Sequence, residues 1–220
     1  MVSGKPETVL VEAVGEEAAI SGAAGALRAG GLVVLPTDTV YGLAAALDRP
    51  EAIARVFVAK GRPPDLALPV LIAEASAMER LAVDVPVAAR GLTAEFWPGA
   101  LTVVLPKSDL VPDEVTAGRP TVGLRLPDCE LARGIIAACG GALAVTSANI
   151  SGAHAPRTVT QIPDGLRAQV ALIVDAGECA GGVPSTVVDL SVAPPQVLRE
   201  GAIPRQRITA VLGKTVGERQ

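Results

Sequence analysis

Leu32-Val33-Val34-Leu35-Pro36-Thr37-Asp38-Thr39-Val40-Tyr41-Gly42 begins as a wholly apolar run, stops at a proline and gives way to two hydroxyls flanking a carboxylate. Four consecutive apolar residues bounded by breakers match a short strand buried on both faces. Upstream, Glu16 to Ala29 repeats its apolar residues with helical period. Downstream, Pro50 stands where it opens a helix carrying Ile53, Val56 and Phe57 on one face. A helix, a buried strand and a second helix in this order are α/β grammar.

The remainder of the chain repeats the alternation. Strands are expected at Leu68 to Ile72, Leu101 to Leu105, Thr121 to Leu126, Leu143 to Val145, Val170 to Val174, Thr186 to Leu190 and Gln196 to Leu198. Helices are expected at Pro86 to Phe96, Leu131 to Cys139 and around Thr160 to Ala168. The last two strands lie too close in sequence for a crossover helix, so they pair antiparallel and the sheet is mixed. No repeat or flexible linker divides the chain, which predicts one α/β domain over residues 8–203 and a polar tail at 204–220 with a short terminal helix.

Composition narrows the function classes. Half of the 220 residues are hydrophobic but only 2% are aromatic, so the core is aliphatic and platforms of aromatic rings for stacking bases are not expected. The net charge of −4 is opposite to that of a protein that grips a phosphate backbone, so any nucleic-acid contact must be local. Cys129, Cys139 and Cys179 show no CxxC spacing, so neither a disulfide framework nor a thiolate zinc site is indicated, and no metal site of the protein's own is expected. Charged residues interrupt the N-terminal stretch and no run approaches about 20 apolar residues, so a cytoplasmic protein with no membrane association is expected. Phosphate-loop and GxGxxG patterns are missing. The single histidine, His154, lies in a loop without a nucleophile elbow to serve.

Six polar segments interrupt this apolar pattern. In the first, Thr37 and Thr39 are two residues apart, so an extended stretch points both hydroxyls to one side; such residues after a strand are equally ordinary helix caps. In Lys60-Gly61-Arg62-Pro63-Pro64, two cations at alternate positions of a constrained run suit either a triphosphate or a solvated helix end. Thr121-Val122-Gly123-Leu124-Arg125-Leu126-Pro127 places one arginine in an apolar strand, where it needs an anion: a ligand carboxylate, or an internal Asp or Glu. Thr146-Ser147-Ala148-Asn149 ends another strand with alternating polar side chains. Gly181-Gly182-Val183-Pro184-Ser185 delivers a serine to a strand start, and Arg199-Glu200-Gly201 leaves the last strand with an arginine.

Taken in order, Pro-Thr-Asp-Thr-Val-Tyr-Gly, Lys-Gly-Arg-Pro, Trp97-Pro98-Gly99, the Arg125 strand, Ser-Ala-Asn and Pro-Ser-Thr resemble the YrdC-like family of L-threonylcarbamoyladenylate synthases from about Val9 to Gly201. The resemblance implies a mixed, strongly twisted sheet with flanking helices around a deep, positively lined cavity. It implies a nucleotidyltransferase that joins L-threonine, bicarbonate and ATP into threonylcarbamoyl-AMP and pyrophosphate for modification of an adenosine in tRNA. Mg2+ would accompany the ATP, and a downstream threonylcarbamoyl transferase machinery would accept the product. Carried over by residue, Thr37, Tyr41, Arg125 and Ser185 would hold threonine, with Arg125 on its carboxylate. Lys60, Arg62, Pro64, Thr121, Ser147, Asn149 and Arg199 would hold ATP, with Lys60 and Arg62 acting on the departing pyrophosphate. The chain departs from many members at Leu66-Ala67-Leu68, where they have Asn-Pro-Leu, and at Leu71, where some place a histidine. The chain is expected to be of the short, free-standing type. The rival readings are an RNA-binding module and a carbamoyl-adenylate enzyme.

Overall fold

The apolar runs pair, in a computed structural model that describes residues 7–217 and their side chains through 213, into a single ten-stranded sheet. Strand β1 (Glu7–Leu10) leads into helices α1 (Val11–Val14) and α2 (Glu16–Arg28). Strands β2 (Val33–Leu35) and β3 (Gly42–Ala46) follow, then α3 (Pro50–Lys60) and β4 (Val70–Ile72). Helices α4 (Met78–Leu81) and α5 (Val87–Phe96) precede β5 (Leu101–Pro106), and α6 (Asp113–Thr116) precedes β6 (Thr121–Arg125). The chain closes through α7 (Glu130–Ala138), β7 (Ala142–Ser147), α8 (Asp164–Arg167), β8 (Leu172–Asp175), the hairpin of β9 (Thr186–Asp189) and β10 (Gln196–Arg199), and α9 (Arg205–Gly217).

The strand order is β1-β8-β2-β3-β7-β4-β6-β5-β9-β10, with parallel and antiparallel ladders intermixed. The expected mixed α/β architecture is therefore the one found, including the antiparallel β9–β10 pair. Some boundaries differ. Strand β4 starts at Val70 because the Leu68 N–H is bonded across to the Val115 carbonyl, and β8 starts at Leu172 because the Val170 N–H closes a turn on Arg167. The helix expected near 160–168 is a single 3-10 turn, Val159–Gln161, and then α8, with Pro163 between them. Strand β3, Gly-Leu-Ala-Ala-Ala, carries weak strand propensity and becomes a strand because it is buried between β2 and β7.

The two faces of the sheet are covered unequally. One face packs Val34, Leu43, Val70, Val103, Leu124 and Val188 against α3, α5 and α9 along most of its length. The opposite face packs Val33, Ala44, Leu71, Leu143 and Val145 against α2 and α7, and no residue of β5, β6, β9 or β10 joins that second cluster. Half of this face is therefore open, and the alternation of β6 shows the consequence: Val122 and Leu124 enter the covered core, while Thr121, Gly123 and Arg125 point to the open side.

Helix α9 is held by Ile208, which is fully buried in the main core, and by Arg207, which lies 4.9 Å over the Phe96 ring and contacts Glu95 at 3.1 Å. Replacing Ile208 with Ala is expected to lower the unfolding free energy by about 3 kcal/mol, the usual loss for a buried Ile→Ala change. Equilibrium urea denaturation measures this; a loss below about 1 kcal/mol would mean α9 is not anchored through that side chain.

Candidate active site in an open cleft of the sheet

Above the open half-face lies a cleft enclosing ≈ 590 Å³, solvent at its mouth included. Ladder register explains which side chains line it. Leu71 pairs with both Arg125 and Leu143, so the three share a face, and alternation along β7 brings Val145 and Ser147 to the same side. Val103 opposite Leu124 puts their neighbours Thr102 and Arg125 together on the cleft face, and pairing of Thr102 with Val187 and of Val187 with Arg199 extends that face to the sheet edge. Thr37, Thr39, Pro69, Pro184 and Ser185 complete the wall. Residues from seven separated segments thus meet in one place.

Arg125 is buried to 6% exposure and needs the anion expected of it. The structure supplies an internal one: an Arg125 terminal nitrogen donates to Asp38 Oδ1 at 2.6 Å. The other terminal nitrogen donates to Thr39 Oγ1 at 3.0 Å, and Nε donates to the Gly99 carbonyl at 2.9 Å. Thr37 Oγ1 in turn donates to the Val40 carbonyl at 2.6 Å and accepts the Thr39 and Val40 N–H groups, which closes the 37–40 turn and aims Thr39 and Asp38 at the arginine. Three of the five guanidinium hydrogens are engaged, which leaves two for a ligand.

The other end of the cleft is more positive. Arg199 donates from Nε and a terminal nitrogen to the Ser185 carbonyl at 3.2 and 2.8 Å, and Ser185 Oγ lies 2.8 Å from Thr102 Oγ1. Gly201 makes this packing possible, because a Cβ there would stand 2.2 Å from the Pro184 carbonyl oxygen. Arg62 donates to the Leu66 and Ala67 carbonyls at 3.1 and 2.9 Å, bending the loop after α3 around itself. Burial, then the nearby Arg199 charge, lowers the Arg62 pKa; burial, then the nearby Arg125 charge, lowers that of Arg199. Arg199 lines the cleft while Arg62 is not among its lining residues; it stands outside, near enough to Arg199 for their charges to interact, so an anion beside the two is favoured.

Lys60 occupies a different position from the one its motif suggested. Gly61 adopts a left-handed conformation, φ 58°, which caps α3 and turns the chain so that Lys60 faces inward and Arg62 outward. The Lys60 side chain is 1% exposed, and its ammonium donates to the Ser147 carbonyl, to the Asn149 carbonyl at 2.6 Å and to Asn149 Oδ1 at 3.2 Å. All three of its protons are used within the protein. Asn149 also donates from Nδ2 to the Ala153 carbonyl at 2.6 Å, and the Ser151 N–H bonds the Lys60 carbonyl, so Lys60 staples the whole 147–151 turn.

Of the residues named from sequence, Thr37, Arg125, Ser147, Ser185 and Arg199 line the cleft, with Lys60 and Asn149 directly beneath Ser147. Thr121 points to the open face by alternation, two residues before Gly123. Pro64 lies exposed beside Arg62. Tyr41 does not line the cleft: it is fully buried and its hydroxyl donates to the Gly177 carbonyl at 2.7 Å, with burial pushing its pKa upward. Sequence reasoning missed Asp38, Thr39 and Thr102 as partners. The signal for Thr102 was available, since it is the one polar side chain in an apolar strand, as Arg125 is in β6. Leu71 and Pro69, at and next to the positions that depart from the family pattern, form an apolar wall.

Residues 25–201 match the domain family named for Sua5, YciO and YrdC and described as telomere recombination. The chain belongs to this family. A threonylcarbamoyl-AMP synthase of Pyrococcus abyssi is 44% identical over 200 residues, which cover 90% of this chain and 58% of that protein. One of Bacillus subtilis is 42% identical over 195 residues, covering 88% of this chain and 56% of that protein. The chain therefore spans a little over half the length of these two relatives. The structure of P. abyssi Sua5 complexed with L-threonine shares the fold at a TM-score of 0.87 and 41% identity, covering 94% of this chain and 60% of that one. E. coli YciO does so at 0.77 and 27% identity, covering 86% and 91%. The Sua5/YciO/YrdC architecture is thus the same mixed sheet described above.

The Lys60 staple carries a stability prediction. Lys60→Met keeps the apolar stem but leaves three buried acceptors unmatched, so about 3 kcal/mol of unfolding free energy should be lost at pH 7. Burial, with Arg62 adding to it, lowers the Lys60 pKa to about 8 from 10.5. Between those two values the unfolded chain binds more protons than the folded one, so the Lys60 contribution to stability grows as pH rises through that window and is smallest below it. In urea titrations between pH 7 and 10, the stability of the wild type relative to Lys60→Met should increase with pH, the cysteines contributing equally to both; a constant difference would remove this assignment.

Proposed function

We propose that the cleft is the site of an ATP-using nucleotidyltransferase that converts L-threonine, bicarbonate and ATP into threonylcarbamoyl-AMP and pyrophosphate. One observation carries this reading: hydroxyls and guanidiniums from distant segments, Thr37, Arg125 and Ser185 with Ser147 and Arg199, line one face of one cleft. An amino acid needs a carboxylate partner and small polar groups; a triphosphate needs cations that are not already neutralised. The two ends of the cleft offer these in turn. The P. abyssi structure with bound L-threonine, at 41% identity, supports the assignment.

In this mechanism the two remaining N–H groups of Arg125 hold the threonine carboxylate, beside Thr37 and Ser185. The threonine amine combines with bicarbonate to give a carbamate and water, and a carbamate oxygen attacks the α-phosphorus as the bond to pyrophosphate breaks. The attacking oxygen is already anionic, so no strong base is required at that step. Positioning and charge stabilisation carry it. Arg62 and Arg199 take up charge on the leaving pyrophosphate, while Lys60 acts through Ser147 and Asn149, which it holds in place, with Thr121 and Pro64 flanking the nucleotide. Tyr41 braces the threonine turn from behind rather than touching the ligand.

Mg2+ is proposed to enter with the triphosphate. Among the described residues no group of three or more His, Cys, Asp or Glu is placed to hold a metal, so the phosphates themselves would supply most ligands. No helix among the described residues is long and apolar enough to cross a membrane; a cytoplasmic setting is part of the proposal. The product, a mixed anhydride, would pass to a downstream threonylcarbamoyl transferase machinery that modifies tRNA, with at most a weak tRNA contact by this chain. Residues 8–203 are proposed as the catalytic domain.

Pyrophosphate release from ATP should require both threonine and bicarbonate, each omitted in turn as the control. Release that ignores threonine would refute the reading. Arg62→Ala should lower kcat/KM roughly a hundredfold, about 3 kcal/mol of transition-state stabilisation; unchanged turnover would remove Arg62 from the phosphate end.

A further inference from the structure

On the proposed function, the cleft must hold two anions of unequal charge without exchanging them, and this inference rests on that reading. Arg62, Arg199 and Arg125 form a chain in which each guanidinium feels the next. A triphosphate bears several negative charges and would be drawn toward all three. Threonine bears a single carboxylate and would lose any open competition for Arg125.

Arg125 differs from the other two in its partner. Its ion pair with Asp38 joins side chains that are 7% and 15% exposed, so water screens it weakly. The hydrogen bonds of Arg62 and Arg199 go to the carbonyls of Leu66, Ala67 and Ser185, which orient them without cancelling charge. Formal charge is therefore zero at the Arg125 end and positive at the other, where Arg199 and Arg62 keep their charge although Asp65, near Arg62, offsets part of it. The Asp38 carboxylate is held from behind: Thr37 closes its turn, and the Gly182 N–H ties the Thr39 carbonyl at 2.7 Å. The pairing is monodentate, so Arg125 keeps two N–H groups for a second carboxylate while its net charge is offset.

We propose that Asp38 is a positioning and specificity-determining residue that sorts the two anions, orienting Arg125 and offsetting its charge so that this end accepts one carboxylate and turns away polyphosphate. Asp38 does not touch the reacting atoms in this role. It grades the charge along the cleft, and the segregation of threonine from triphosphate follows from that gradient.

Calorimetry on the full chain with L-threonine and inorganic tripolyphosphate as probes tests this. In the wild type both should bind together, each leaving the other's affinity within about twofold. Asp38→Asn keeps an oxygen toward Arg125 but removes the charge; threonine affinity should fall about tenfold, and tripolyphosphate should now displace threonine. Asp38→Glu, which restores the charge, should recover simultaneous binding, a rescue that a purely structural role for the side chain would not predict. Displacement of threonine by tripolyphosphate in the wild type overturns the proposal without any variant, so it stays falsifiable even if Asp38→Asn does not fold. Simultaneous binding at wild-type affinities in folded Asp38→Asn overturns it as well. A wild type that binds no threonine refutes the functional reading itself, an outcome distinct from binding with the wrong competition pattern.

Discussion

A sheet residue can be polar only where its face of the sheet is left uncovered, and this constraint organises the molecule. One face is sealed by α3, α5 and α9; the other is sealed by α2 and α7 only as far as β4. Beyond that line the hydrophobic reason for apolar side chains disappears, and Thr102, Thr121 and Arg125 stand where valine or leucine would otherwise be. The cleft is thus the region where the second layer of helices ends.

Charge inside the cleft is handled by three different devices. Lys60 is neutralised by carbonyl and amide dipoles alone, Arg125 by a carboxylate, and Arg62 and Arg199 are oriented by carbonyls while keeping their charge available. Each device suits its place. A fully buried ammonium must have every proton matched, whereas a cation meant for a ligand must not. The division also shows why a motif such as Lys-Gly-Arg is poorly described as a pair: one glycine in a left-handed turn sends its two cations to opposite duties.

Second-rank residues bind these devices together. Tyr41 links the 37–40 turn to the end of β8, Thr186 receives the Gly201 and Ile203 N–H groups while donating to the Ile203 carbonyl, and α9 is joined to the same segment through the chain at 201–205. The edge of the cleft and the C-terminal helix are therefore parts of one packed unit among the described residues, with Ile203 and Ile208 in the same core.

By itself the amino-acid sequence determined the α/β class, the antiparallel closing hairpin and the polar segments that meet at the site, because apolar periodicity and proline or glycine breaks are local properties. It also showed that Arg125 must find an anion. Only the tertiary structure decided which one, since Asp38 and Arg125 are 87 residues apart and meet through sheet order, not spacing. The same holds for β3, whose alanines become a strand under neighbours that no local pattern announces, and for Lys60, whose inward turn depends on acceptors delivered by β7. Local chemistry specifies what a side chain requires; the packing of distant strands specifies what it receives.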